Sequence, residues 1–183
     1  MRRRFVRLFR RRPGGENQPL ARLQHANRLM AAEDYRGAAA AFEDLGRQAV
    51  GRNGQHAAFF FLQGGRARMI LGETPKSLAD FKNGLTLLSA AERYTQFYRV
   101  GTRLIQELKA RKLDKEAQEI SNLVHGNTVA IAEMATQQHP HDEALLPTHC
   151  PSCGGPLRSD EIDWIDEATA ECPFCGSPVR VGE

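Results

Sequence analysis

The residues of this 183-residue sequence best suited to chemistry are its four cysteines. They stand in two nearly identical octapeptides, Cys150-Pro151-Ser152-Cys153-Gly154-Gly155-Pro156-Leu157 and Cys172-Pro173-Phe174-Cys175-Gly176-Ser177-Pro178-Val179, with eighteen residues between Cys153 and Cys172. Two cysteines separated by two residues can turn both sulfurs to one side of a tight bend. The glycine that follows allows the positive φ that aims backbone N–H groups at them. Two such bends supply four thiolates for one tetrahedral metal ion. No coordination position is then left for water or substrate, so the expected role is structural, with one zinc ion folding the module. Iron held by the same four sulfurs is the alternative and would make an electron carrier. A redox disulfide fits less well, because such a pair normally stands once, at the start of a helix.

Over residues 149 to 180 the paired C-P-x-C-G bends resemble the zinc ribbon family. Between them Ile162, Trp164 and Ala168 to Ala170 are suited to a small antiparallel sheet, with Trp164 expected as a lid over the metal. The iron alternative would resemble rubredoxin, from which this chain differs in its shorter interval and in lacking an aromatic residue beside the first bend. Asp160, Glu161, Asp163, Asp166, Glu167 and Glu171 crowd the segment between the bends, opposed only by Arg158 and Arg180. Such a surface repels phosphates and points to contact with protein. His139, His141 and His149 flank the module and read as surface residues, given four cysteines as ligands.

The elements that must position this module lie upstream. Residues 20 to 137 are rich in Ala, Leu, Gln, Glu and Arg and hold one proline, Pro75. Helices are expected near 20–32, 35–49, 54–71, 75–89, 91–111 and 114–137, antiparallel because their connections are short. Ala26, Ala38 and Phe42 recur 39 residues later as Gly65, Ser77 and Phe81. Helices cross closely only where side chains are small, and an aromatic one turn further on fills the space beside the crossing. This pattern resembles the tetratricopeptide repeat over roughly residues 18 to 125, although the spacing exceeds the usual ~34. Repeat two carries Arg68 where the family has an apolar residue, and repeat three, around Ile105, Ala117 and Ser121, keeps little more than the small residue. An irregular helical bundle with generic Ala/Phe packing is the alternative. The resemblance implies a partner groove lined by Leu23, Asn27 and Met30 in repeat one and by Leu62, Arg66 and Met69 in repeat two. Asn27 and Arg66 would hold a peptide backbone or carboxylate there. Along the last helix, Ala117, Ile120, Val124, Asn127, Ile131 and Met134 form a heptad-like seam that either receives a partner helix or caps the preceding ones.

Charge divides the chain. Residues 1 to 12 carry seven arginines and no acid, residues 13 to 147 carry sixteen basic against fifteen acidic residues, and residues 148 to 183 carry two against seven. On a helical wheel Met1, Phe5, Leu8 and Phe9 gather on one side, and arginines occupy the rest. Arg2, Arg3, Arg4, Phe5, Arg7, Leu8, Phe9, Arg10, Arg11 and Arg12 thus form a candidate anchor for an anionic membrane surface, with RNA and plain solvent as alternatives. The expected organisation is a basic head and linker (1–19), a helical-repeat domain (20–137), a second linker (138–148) and the zinc ribbon (149–183). The fold class is mostly α, an antiparallel helical-repeat body with a small β ribbon.

No glycine-rich phosphate loop, nucleophile elbow or HExxH motif occurs, which argues against an enzyme and against a small-molecule substrate. With 26% charged and 41% hydrophobic residues, the composition is that of a globular protein. No secretory signal is evident, because Arg7 interrupts the apolar run, and a cytoplasmic location is expected, peripheral to the inner face of a membrane. The function expected is a scaffold or adaptor with a protein partner. An RNA- or ribosome-associated accessory protein is the second reading and a rubredoxin-like carrier the third.

Overall fold

The computed structural model describes residues 18–50, 56–126, 146–158, 161–166 and 168–181. The basic head, the Asn127, Ile131 and Met134 part of the seam, and His139 and His141 lie outside the described residues. Six helices are found among them: α1 (Gln18–Ala31), α2 (Tyr35–Val50), α3 (Ala57–Ile70), α4 (Thr74–Ala90), α5 (Tyr94–Ala110) and α6 (Asp114–His125). Three short strands, β1 (Asp163–Trp164), β2 (Thr169–Glu171) and β3 (Pro178–Arg180), form an antiparallel sheet in that order. The molecule is therefore mostly helical with a small β element, as the composition implied.

Four of the helix connections share one turn. Glu33, Gly72, Glu92 and Lys112 each take a left-handed conformation, with φ of 61°, 75°, 57° and 61°. The next N–H in each case, from Asp34, Glu73, Arg93 or Leu113, reaches back five residues to a carbonyl at 2.9–3.0 Å. This closure satisfies helix-end carbonyls that would otherwise lack partners. Three of the four left-handed positions are not glycine, each bearing about 1 kcal/mol or more of backbone strain, and so gave no turn signal by residue type. Asp34 starts α2 by accepting the Gly37 N–H at 2.9 Å, and Pro75 sits in the first turn of α4, where its missing N–H is harmless.

Each helix packs on the next, and α3 lies innermost. Eleven of its fourteen residues are buried, which leaves it with no polar face. The small-residue crossings fall where the sequence placed them. A methyl group on Gly65 would stand 2.6 Å from the Phe81 ring, and Ser77 Oγ donates to the Gly65 carbonyl at 2.9 Å. Ala26, Ala38 and Phe42 are completely buried at the matching positions. At the far end, Gly101 of α5 admits Val124 of α6, which with Ala117 and Ile120 is buried. Within the described residues, then, the seam packs inward on α5. Arg68, the departure from the repeat pattern, lies between α2, α3 and α4. It pairs with Glu43, with Glu73 at 2.7 Å and with Asp80 at 3.2 Å.

Candidate metal centre

The two octapeptides fold alike. Gly154 and Gly176 take φ of 74° and 70°, and their N–H groups donate to the carbonyls of Cys150 and Cys172 at 2.8 and 2.9 Å. The Cys150 N–H donates to the Gly155 carbonyl, and the Cys172 N–H to that of Ser177. A bridge between His149 and Pro156 closes the first bend. The second leads into β3, which pairs with β2 through Glu171 opposite Pro178 and Ala170 opposite Val179. Two copies of one local structure thus face each other, each contributing two sulfurs.

All four sulfurs lie within 4.8 Å of one another, and the Cys150–Cys175 and Cys153–Cys172 pairs are 3.8 Å apart. A tetrahedral ion with metal–sulfur bonds of about 2.3 Å requires sulfurs separated by about 3.8 Å. The donor set and spacing therefore fit a four-coordinate, thiophilic ion. Cys150, Cys153 and Cys172 are buried and Cys175 half-buried. Hydrogen bonds from Cys153 and then Cys172 hold the Cys175 thiol far below its ordinary range. Hydrogen bonding with Cys153 and Cys175, together with burial, pushes Cys172 up. At Cys153 the bond to Cys172 favours the thiolate, but Cys175 and burial outweigh it and push the thiol up to about 12. Thiols bind a divalent ion as thiolates, so binding here would release protons and strengthen with pH.

The module does not stand apart from the helices. Asn27, buried on α1, donates from Nδ2 to the Cys153 carbonyl at 2.8 Å, and Gln24 one turn earlier donates to the Ser152 carbonyl at 2.8 Å. At the start of α3, His56 Nδ1 donates to the Pro173 carbonyl at 2.8 Å. One turn along, Phe59 meets Phe174 edge-on, with ring centroids 6.0 Å apart. Arg66 reaches the Glu161 carboxylate at 2.6 Å, and Glu161 is only 1% exposed. Arg93, just before α5, pairs with Asp163 and covers the Phe59 ring at 5.3 Å. Glu107 of α5 joins this margin, 3.6 Å from Arg158 and 3.9 Å from Arg66. The ribbon thus sits on the face made by the odd-numbered helices.

This arrangement redistributes the residues expected to line a partner groove. Asn27 and Arg66 hold backbone and carboxylate as expected of their chemistry, but the polypeptide they hold is the chain's own ribbon. Leu62 points elsewhere, packing against α4 where a methyl group on Gly84 would touch it at 2.7 Å. Leu23 and Met69 are buried, and Met30 is half-buried against the core. Trp164 lies half-buried in β1, whereas the aromatic ring against the first bend is that of Phe174, 2.8 Å from where a Gly155 methyl would stand. His149 is exposed, its ring beside Thr148. Sequence reasoning did not single out Gln24, His56, Phe59 or Arg93 as site residues. The signal available for Arg93 and Arg66 was complementarity with the acidic segment between the bends, whose expected contact with protein is met here by the chain's own helices.

Comparison with protein-family models, curated proteins and solved structures finds no match to this chain.

Proposed function

We propose that this chain is a non-enzymatic adaptor, with a tetratricopeptide-like body, a ribbon folded by one structural zinc ion and an Arg/Phe head that attaches it to an anionic membrane surface. The observation that carries this reading is how the odd-helix face grips irregular polypeptide. Side-chain amides and an imidazole take main-chain carbonyls, and guanidinium groups take carboxylates. Those are the recognition elements of a protein-binding surface rather than of a small-molecule site. Four thiolates that leave no open position favour a structural ion, and zinc is preferred to iron because the interval between the bends is shorter than rubredoxin's and no aromatic residue stands beside the first bend in the sequence. No helix among the described residues is long and apolar enough to cross a membrane. A peripheral, cytoplasmic attachment through Arg2 to Arg12 is the corresponding placement, with the scaffold presenting its body to a protein partner.

The test is the distribution of the full chain, and of a version starting at Gly14, among membrane, ribosomal and soluble fractions. Sedimentation with membranes that is lost on truncation supports the anchored adaptor. Nuclease-sensitive sedimentation with ribosomes replaces it with an RNA-associated accessory role. Metal analysis of the purified chain decides the ion, since ferric iron in four thiolates would colour it red and zinc leaves it colourless.

A further inference from the structure

The carbonyls that the helices hold belong to Ser152, Cys153 and Pro173, all inside the two cysteine bends. These groups point at Gln24, Asn27 and His56 only while the bends keep their shape, and one ion bound by all four sulfurs would fix the two bends against each other. Docking and metal binding are therefore two ends of one equilibrium, and each must strengthen the other by the same factor. What the ribbon covers is also informative. Under it lies Phe59, 0% exposed, its ring against Phe174 and covered by the Arg93 guanidinium, with Arg66 two turns further along the same helix. Removing the ribbon would leave the Phe59 ring uncovered, flanked by two arginines and two side-chain amides.

We propose that the ribbon is a metal-locked internal occupant of the odd-helix face, and that loss of the ion opens this face to an acidic, extended segment of a partner protein. The proposal rests on the adaptor reading and adds its regulation and the chemistry of its partner. Charge identifies the occupant. Glu161 and Asp163 present carboxylates to Arg66 and Arg93, so a competing segment must do the same, with main-chain carbonyls free for Asn27 and Gln24. RNA would bring negative charge but no ring or carbonyl pattern matched to Phe59 and Asn27. A second copy of this chain would bring its own ribbon, and its binding would appear as self-association.

The experiment uses the full chain loaded with zinc and the same chain after chelation. The probe is a labelled peptide of residues 161–171 of this sequence, with a scrambled peptide of equal charge as control. Fluorescence anisotropy should show the peptide binding the metal-free chain at least about tenfold tighter than the loaded one, with the gain removed in Arg66→Ala/Arg93→Ala. Equal binding in both states, or equal binding of the scrambled peptide, overturns the proposal, as does dimerisation on chelation seen by sedimentation. A second measurement needs no metal-free fold. Zinc transfer from the loaded chain to a chromophoric chelator should be about tenfold faster in Asn27→Ala than in the parent, and unchanged in Lys82→Ala, which alters an exposed pair on the far helices. An unchanged rate in Asn27→Ala overturns the coupling. A chain that takes up no metal defeats the zinc reading itself, an outcome distinct from uncoupled binding.

Discussion

Arg66 and Arg68 are two residues apart on α3 and do opposite jobs. Arg66 faces the ribbon and meets Glu161, whose second carboxylate oxygen accepts no hydrogen bond among the described residues. Arg68 faces the junction of α2 and α4 and gathers Glu43, Glu73 and Asp80. The first pair joins parts of the chain 95 residues apart and reaches into the module that carries the four clustered cysteines. The second is intrinsic to the helical body. A helix with no solvent face can direct charge to both sides because each arginine's carbon stem is buried while its head finds acids. Removing the metal should separate the two regions.

That separation is the largest effect expected. Chelation removes a structural contribution of order 10 kcal/mol in isolated zinc modules, so amide exchange should lose protection at Ala170, Cys172 and Val179 while α2 to α4 stay protected. Loss of protection in both regions together would show that the ribbon is needed to fold the body. Metal binding should also release protons at neutral pH, because thiols bind as thiolates and hydrogen bonding and burial together favour the protonated form of Cys153 and Cys172. Titration calorimetry in buffers of different ionisation enthalpy measures that release, and affinity should rise with pH.

Next comes Arg66→Ala in the loaded chain. It strands the enclosed Glu161 charge, and breaking such a pair costs about 3–5 kcal/mol. Denaturant unfolding of the variant should show this loss, and Arg66→Ala/Glu161→Gln should recover part of it. If the double variant is no better than the single, the arginine acts by packing and not by charge.

At the other arginine the sign reverses. Burial, then repulsion from Glu43, raises the Asp80 carboxyl from 3.8 to about 7, against the opposing pull of Arg68. The folded chain therefore binds a proton there that the unfolded chain has released. Asp80 favours the fold below pH 4, and that contribution is lost as pH rises through about 7. Asp80→Asn should thus be more stable than the parent at pH 8, by about 1 kcal/mol or more, and lose that advantage toward pH 4. An advantage independent of pH would mean that the carboxyl ionises normally.

The contrast also marks what could be read in the sequence. The octapeptides announced the cysteine centre because metal geometry acts over two residues and repeats. Ala26, Ala38, Phe42 and their counterparts announced the crossings, and α2, α4 and α6 begin within one residue of expectation, because small residues and turns are local signals. The docking of the ribbon was not legible. Asn27 and Cys153 are 126 residues apart, and an asparagine on a helix carries no mark of the carbonyl it will find. Leu62 was placed in the groove by analogy with repeat one, yet Gly84 opened a space for it on the α4 side. Arg68 broke the repeat pattern for a reason visible only once α2 and α4 brought three carboxylates to it.

The finest comparison lies within the docked face, between two neighbours on α1. Gln24 and Asn27 lie one turn apart on α1 and donate to adjacent carbonyls at the same distance, 2.8 Å. They differ in burial: Asn27 is 8% exposed, whereas Gln24 is only half-buried. Truncating Asn27 leaves the Cys153 carbonyl enclosed without a donor, a penalty of about 1–3 kcal/mol, while water can replace Gln24 at the Ser152 carbonyl for about 0.5 kcal/mol. Thermal unfolding of the zinc-loaded variants should therefore rank Asn27→Ala well below Gln24→Ala. Equal losses would mean that water already reaches the first bend and that burial of Asn27 adds nothing to its hold on the ribbon.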